Sequence, residues 1–232
     1  MKATKQKSIK SRILIVDDHP LVQMGLTQLL ADQESLEVIG QATNSADALT
    51  WIEREKPDVV IIDISLQGTD GIDLIKQIKA RSFVPKMLVS SMHPEMLYGE
   101  RAIRAGARAY VCKQEPPDRI LEALYAVLKG DVFLSPELSE KILHRFIGRV
   151  DHSRVSPMET LSDRELEVFT LIGQGKTTRQ IAAQLNLSAK TIDTYRDLIK
   201  KKLNLDNTPM LIREAVLWVS EQKQAQEAEN PS

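Results

Sequence analysis

The chain has 232 residues, 42% of them apolar, and a formal net charge of −1. This length and composition suit one large domain or two small ones with ordinary cores, and the near-neutral charge excludes a generally basic nucleic-acid coat, so any DNA contact must come from a local patch. A single cysteine, Cys112, excludes an intramolecular disulfide framework, and no apolar run approaches the roughly 18 residues of a membrane span.

In chain order, residues 1–10 are polar and lysine-rich and read as a solvated tail. They are not part of the charged-region, apolar-run and cleavage-site pattern of a secretory leader, so a reducing, cytoplasmic compartment is expected. From Arg12 to Lys129 short apolar runs alternate with amphipathic stretches. Strands are expected at 12–17, 36–42, 58–63, 86–90 and 108–112, and helices at 20–31, 45–55, 71–80, 94–105 and 116–129. Five such βα units imply a parallel sheet with helices on both faces. Pro57, Gly71, Pro85, Pro94 and Pro116-Pro117 fall at the junctions, where a missing N–H or a permissive φ is tolerated.

Residues 131–160 differ in texture. They hold one amphipathic stretch, 136–147, and a polar end from Asp151 to Arg154 with Pro157 nearby, which reads as a helical linker followed by a flexible joint. The span 161–220 is helical throughout, near 163–174, 178–185, 189–203 and 209–220. Ser162 with Glu165, and Thr177 with Gln180, have capping-box spacing; Ser188 is a third N-cap, and Thr208-Pro209 offers a cap followed by proline at the first helical position. Residues 221–232 read as a second solvated tail.

Two of the apolar strands run into carboxylates: Arg12 to Val16 into Asp17-Asp18, and Val59 to Ile62 into Asp63. Open parallel sheets bind ligands outside the carboxyl ends of their strands, and clustered carboxylates there suit a hard cation such as Mg²⁺. Taken alone, such a cluster serves hydrolysis, phosphoryl transfer or structure, and the acidic pair also suits capping of the helix at Pro20. Crowding Asp63 against the pair favours an ion site, because like charges repel unless a cation neutralises them.

With Ser91 ending the fourth strand and Lys113 closing Gly106-Ala107-Arg108-Ala109-Tyr110-Val111-Cys112-Lys113, residues 11–130 resemble the response-regulator receiver domain. The resemblance implies a flavodoxin-like, doubly wound five-stranded parallel sheet that accepts a phosphoryl group on Asp63 from a sensor histidine kinase. It also implies Mg²⁺ held by Asp17, Asp18 and Asp63, a second positive charge from Lys113, a Ser91 hydroxyl for a phosphoryl oxygen, and Tyr110 as an aromatic switch that turns inward as Ser91 moves. Two positions depart from the family pattern. Gln67 stands four residues after the acceptor, where proline is common, and Gln114 rather than proline follows Lys113, so a trans peptide is expected there. Of the nearby histidines, His19 lies in the loop after the acidic pair, and His93, two residues after Ser91, is the one placed to face the pocket.

Leu161-Ser162-Asp163-Arg164-Glu165-Leu166-Glu167-Val168, Gly175-Lys176-Thr177-Thr178-Arg179-Gln180-Ile181-Ala182 and Leu187-Ser188-Ala189-Lys190-Thr191-Ile192-Asp193-Thr194-Tyr195-Arg196 resemble the LuxR-type helix-turn-helix of the NarL/FixJ response regulators. The resemblance implies a second, smaller all-α domain with a recognition helix for the major groove. Helical spacing turns Ile192, Leu198 or Ile199, and Leu203 inward, and Lys190, Asp193, Thr194, Arg196, Asp197 and Lys200 outward. Lys176, Arg179 and Lys200, Lys201 and Lys202 suit phosphates, whereas Lys190, Thr194 and Arg196 suit base edges. Leu211, Ile212, Ala215, Val216 and Val219 give the last helix an apolar face for a dimer interface or for packing on its own bundle. The whole reads as a transcription factor rather than an enzyme, acting as a homodimer on double-stranded DNA and away from membranes. Its rivals are a metal-assisted phosphatase and a constitutive DNA-binding protein whose first domain only dimerises.

Overall fold

The computed structural model describes residues 10–66, 69–147 and 157–229. The N-terminal tail as far as residue 9, Gln67, and most of the joint near Asp151 lie outside the described residues. Contacts divide the chain into two compact units, one ending at Arg149 and one beginning at Val150.

In the first unit, strands β1 (Ser11–Val16), β2 (Leu36–Ala42), β3 (Val59–Ile62), β6 (Lys86–Ser91) and β7 (Ala109–Cys112) form a parallel sheet in the order β2-β1-β3-β6-β7. The order reverses between β1 and β3, which places the switch point of the sheet at their carboxyl ends. The central runs Ile13-Leu14-Ile15-Val16 and Val59-Val60-Ile61-Ile62 are buried at every residue, because helices cover both faces. Ile13, Ile15, Val59 and Ile61 pack with Leu30 of α1 (Pro20–Ala31) and with Ile120, Leu124 and Val127 of α5 (Pro117–Lys129). Their alternates face α2 (Ser45–Glu55), α3 (Gly71–Lys79) and α4 (Glu95–Ala105). A short antiparallel ladder of β4 (Ser65–Leu66) and β5 (Thr69–Asp70), not anticipated from the sequence, lies between β3 and α3.

The amphipathic stretch expected as a linker helix forms α6 (Pro136–Phe146) and is docked on α4 within the first unit. Ser135 caps it, accepting from the Leu138 N–H at 3.1 Å, and the Ser135 N–H donates to Glu95 Oε1 at 3.0 Å. Leu138 is fully buried over Gly99, where a Cβ would approach Leu138 Cδ2 to 2.4 Å. Lys141 Nζ donates to the Met96 carbonyl at 3.1 Å, and Arg145 pairs with Glu100 at 2.7 Å.

The second unit contains a 3-10 turn (Pro157–Thr160) and the helices α7 (Asp163–Gly173), α8 (Thr178–Gln184), α9 (Ala189–Lys202) and α10 (Thr208–Glu229). Both expected capping boxes are formed, and Ser188 caps α9. The cap of α10 is corrected. Asn207 Oδ1 accepts from the Met210 N–H at 3.0 Å, so the cap sits one residue before Thr208 and Pro209 is the second helical residue. The helix also continues past the expected end at 220 to Glu229, through a Gln-, Ala- and Glu-rich run of high helix propensity.

Candidate functional site

The sheet ladder itself delivers the pocket. Asp17 and Asp63 each stand one residue beyond a central strand, and their N–H groups extend the ladder to Ala42 O at 3.0 Å and Val16 O at 2.9 Å. Lys113 follows β7 and donates from its backbone to Ser91 O at 2.8 Å. A residue unmarked by the sequence reading, Gln23 of α1, pins this edge: its buried amide donates to Asp17 O at 2.7 Å and Ala42 O at 3.1 Å. Gly71 is required for another reason, since a Cβ there would lie 2.1 Å from the Asp63 carbonyl oxygen.

The side chains then converge. Lys113 Nζ lies 2.6 Å from both Asp17 Oδ2 and Asp63 Oδ2, and all three groups are almost wholly buried. Asp63 Oδ1 accepts the Ser65 N–H at 3.3 Å. Burial pushes the Asp63 carboxyl above its ordinary value despite Lys113, with Asp17 adding to the rise. Asp18 is raised as well, by burial first and then by Asp63 and Asp17, against a lowering by His19. Burial alone would lower Lys113, but Asp63 and Asp17 outweigh it and hold the ammonium above its usual range.

Asp18 Oδ1 is buried without a hydrogen-bond partner. Asp17, Asp18, His19 and Asp63 each present a ligand atom, all within 4.8 Å of one another. An orphaned oxygen within a carboxylate-rich donor set, where neighbouring carboxylates raise one another's pKa, fits a hard divalent cation.

Ser91 is fully buried at the pocket wall, where its Oγ accepts the His93 N–H at 3.3 Å. Tyr110 is already inward, donating to the His93 carbonyl at 2.8 Å, and burial lifts its phenol well above the ordinary value. His93 reaches Ser65 Oγ at 2.9 Å through Nε2 and lies against the Tyr98 ring, with centroids 4.5 Å apart. It therefore bridges the loop after Asp63 to α4. The peptide after Lys113 is trans, as its glutamine requires.

On the second unit, Lys176, Arg179, Lys190 and Lys201 are exposed, as phosphate or base contacts require. Thr194 Oγ1 donates to the Lys190 carbonyl at 3.0 Å. Arg196 is half-buried and donates to Thr178 Oγ1 at 3.0 Å, so it also ties α9 to the start of α8. The lysine cluster divides: Lys200 pairs with Asp197 at 2.9 Å, while Lys202 reaches the buried Glu165 at 2.6 Å and ties α9 to α7. Burial would raise Glu165, but Lys202 and Ser162 together hold it below the usual carboxylate range. Ile192 and Ile199 face the core, whereas Leu198 is exposed. In α10 the apolar face splits into a buried row, Leu211, Ala215 and Val219, and an exposed row, Ile212, Val216 and Leu217.

Among the described residues no helix is long and apolar enough to cross a membrane. The response regulator receiver domain family matches residues 13–125, and the luxR family of bacterial regulatory proteins matches residues 159–215. Oxygen regulatory protein NreC of Staphylococcus carnosus is 31% identical over 209 residues, covering 88% of this chain and 96% of NreC. Transcriptional regulatory protein LiaR of Bacillus subtilis is 34% identical over 200 residues, covering 84% and 92% respectively. The structure is similar to that of RcsB from Salmonella enterica serovar Typhimurium bound to promoter rprA in the presence of the phosphomimetic BeF3−. The TM-score is 0.59 at 28% identity, covering 89% of this chain and 99% of RcsB.

Proposed function

The chain belongs to the NarL/FixJ-type two-component response regulators, DNA-binding transcription factors that join a receiver to a LuxR-type helix-turn-helix, and we propose that a phosphoryl group accepted at Asp63 from a sensor histidine kinase sets its DNA-binding state. One observation carries the reading: Asp63, at the switch point of the sheet, lies with Asp17 and Asp18 while Lys113 stands 2.6 Å from its carboxylate. A receiver-family carboxylate so placed attacks phosphorus. The new O–P bond forms as the P–N bond to the donor imidazole breaks, and the electron pair, followed by a proton, goes to that imidazole.

Asp17, Asp18 and Asp63 would hold Mg²⁺, which when bound neutralises charge on the phosphoryl oxygens. Lys113 supplies the fixed positive charge on the other side of the acceptor. Ser91, whose Oγ accepts the His93 N–H, would donate its O–H to a phosphoryl oxygen. That new bond acts on the loop held by Tyr110 and so on α4, shifting an existing equilibrium between two arrangements of this face.

For DNA, Lys176, Arg179, Lys200 and Lys201 are assigned to phosphates, and Lys190, Thr194 and Arg196 to base edges. The exposed Ile212, Val216 and Leu217 of α10 support pairing of two copies, with half-sites about one helical turn apart on the duplex. That RcsB was captured on a promoter with a phosphomimetic supports the same order of events here. Intact-mass measurement after acetyl phosphate treatment should show one adduct that requires Mg²⁺ and is absent in Asp63→Asn. An adduct that persists in Asp63→Asn removes the assignment. Equal operator affinity with and without beryllofluoride favours the constitutive rival.

A further inference from the structure

We infer that His19 is a fourth protein ligand of the cation pocket, so that the pocket takes a borderline transition ion such as Ni²⁺ or Zn²⁺ more tightly than its carboxylates alone would. The inference rests on the reading of Asp17, Asp18 and Asp63 as a cation site. Within that site His19 Nδ1 lies 2.7 Å from Asp18 Oδ1 and 3.3 Å from Asp17 Oδ1. The 2.7 Å approach is an ion-pair contact when the ring is protonated, and Asp18 Oδ1 makes no hydrogen bond besides it. With the ring neutral, its nitrogen beside the oxygens of Asp18 and Asp17 makes a mixed N,O donor set. Around an ion at about 2.1 Å, adjacent donors are about 3.0 Å apart and opposite ones about 4.2 Å, so the contacts of 2.7 and 3.3 Å and the 4.8 Å limit on all four ligand atoms need only small shifts.

The ordinary explanation for a histidine at this position is helix capping, and the structure does not support it. His19 occupies the N-cap of α1, but its side chain makes no capping bond. Its backbone is fixed instead, with its N–H donating to Asp17 Oδ1 at 2.8 Å and its carbonyl accepting from Val22 and Gln23. Only the two side-chain torsions remain to set the ring. The ring is 63% exposed, which leaves that side of an ion open to water or to an incoming phosphoryl oxygen. Imidazole suits Ni²⁺ and Zn²⁺, whereas carboxylate, carbonyl and water suit Mg²⁺, so His19 changes which ions compete for the pocket. A transition ion held there would compete with Mg²⁺ for the acceptor site.

The test is calorimetric titration of the untagged full-length protein with Mg²⁺ and with Ni²⁺, comparing wild type with His19→Asn. Asparagine keeps an N–H donor near the Nδ1 position but is a poor ligand for Ni²⁺. We expect one Ni²⁺ per chain, displaced by excess Mg²⁺, with Ni²⁺ affinity falling roughly tenfold or more in His19→Asn while Mg²⁺ affinity stays within about twofold. Proton NMR adds a second readout, a shift of the His19 ring resonances on addition of Zn²⁺. Unchanged Ni²⁺ affinity in His19→Asn, or Ni²⁺ that Mg²⁺ does not displace, overturns the inference and leaves the Mg²⁺ pocket standing. Failure of wild type to bind either ion overturns both.

Discussion

Replacing Asp18 by asparagine should stabilise the metal-free receiver and abolish its response to Mg²⁺. At separations up to 4.8 Å, each pairing of Asp18 with Asp17 or Asp63 repels by about 3.5 kcal/mol at an effective dielectric of about 20. Lys113, 2.6 Å from the other two carboxylates, offsets most of this, and so does water at the pocket mouth. A net gain of about 1 to 2 kcal/mol is therefore expected for Asp18→Asn at pH 7.5 in EDTA, in a position where most substitutions cost stability. In the wild type, Mg²⁺ at a hundred times its dissociation constant should add about 2.7 kcal/mol. The pH dependence has a defined sign. Asp18 and Asp63 are both raised above their ordinary values, so the folded state holds protons more tightly than the unfolded one. Stability of the metal-free protein should therefore fall as pH rises from the ordinary carboxylate value through the raised ones, with the cost fully present only above the raised values. Urea unfolding followed by Trp51 in a Trp218→Phe background isolates the receiver, since Trp218 belongs to the second unit. A less stable Asp18→Asn in EDTA, or equal Mg²⁺ stabilisation of both proteins, would refute the reasoning.

Leu138→Ala removes the fully buried anchor of α6 and should cost about 2 to 3 kcal/mol. Amide exchange should quicken across 136–146 while the sheet remains protected, and equal quickening in the sheet would show that α6 is not a separable element. Lys201→Ala should weaken binding to all DNA sequences alike and reduce the salt slope by about one unit. Arg196→Ala should cost about 1 to 3 kcal/mol on the preferred site and also lower the stability of the helix-turn-helix, because it severs the bond to Thr178. Titrations across salt concentrations, paired with thermal melts, separate the two effects.

The sheet and its site were legible because they share a cause. Strands buried on both faces appear as unbroken apolar runs such as Val59 to Ile62, and a carboxylate directly after such a run has to emerge at the sheet edge. Parallel strands bring Asp17 and Asp63 to one edge, and the resemblance to the receiver family, not chain order, singles out Ser91 and Lys113 as their neighbours. Gln23 was not legible and Gly71 was legible only as a junction glycine, because one acts through an amide reaching two carbonyls and the other through the space beside Asp63 O, neither of which leaves a pattern in sequence. Helix α6 was legible as a helix and not as a docked one. An amphipathic face records that something covers it, and only the notch at Gly99 and the partners Glu95 and Glu100 identify α4 as the cover.

The lysines at the end of α9 show why a charge run underdetermines function. Lys200, Lys201 and Lys202 are chemically equivalent in the sequence, yet the helix rotates them about 100° apart, and each meets a different neighbour. Lys202 reaches Glu165, the buried member of the α7 capping box, so its charge joins two helices of the bundle. Lys200 shares Asp197, three residues earlier on its own helix, a contact that DNA phosphates can replace at little cost because Asp197 is largely exposed and such pairs are weak. Lys201 is exposed, with its charge available to a phosphate. A salt slope reduced by Lys201→Ala but hardly by Lys202→Ala is the pattern this geometry requires, with the loss in Lys202→Ala appearing in thermal stability instead.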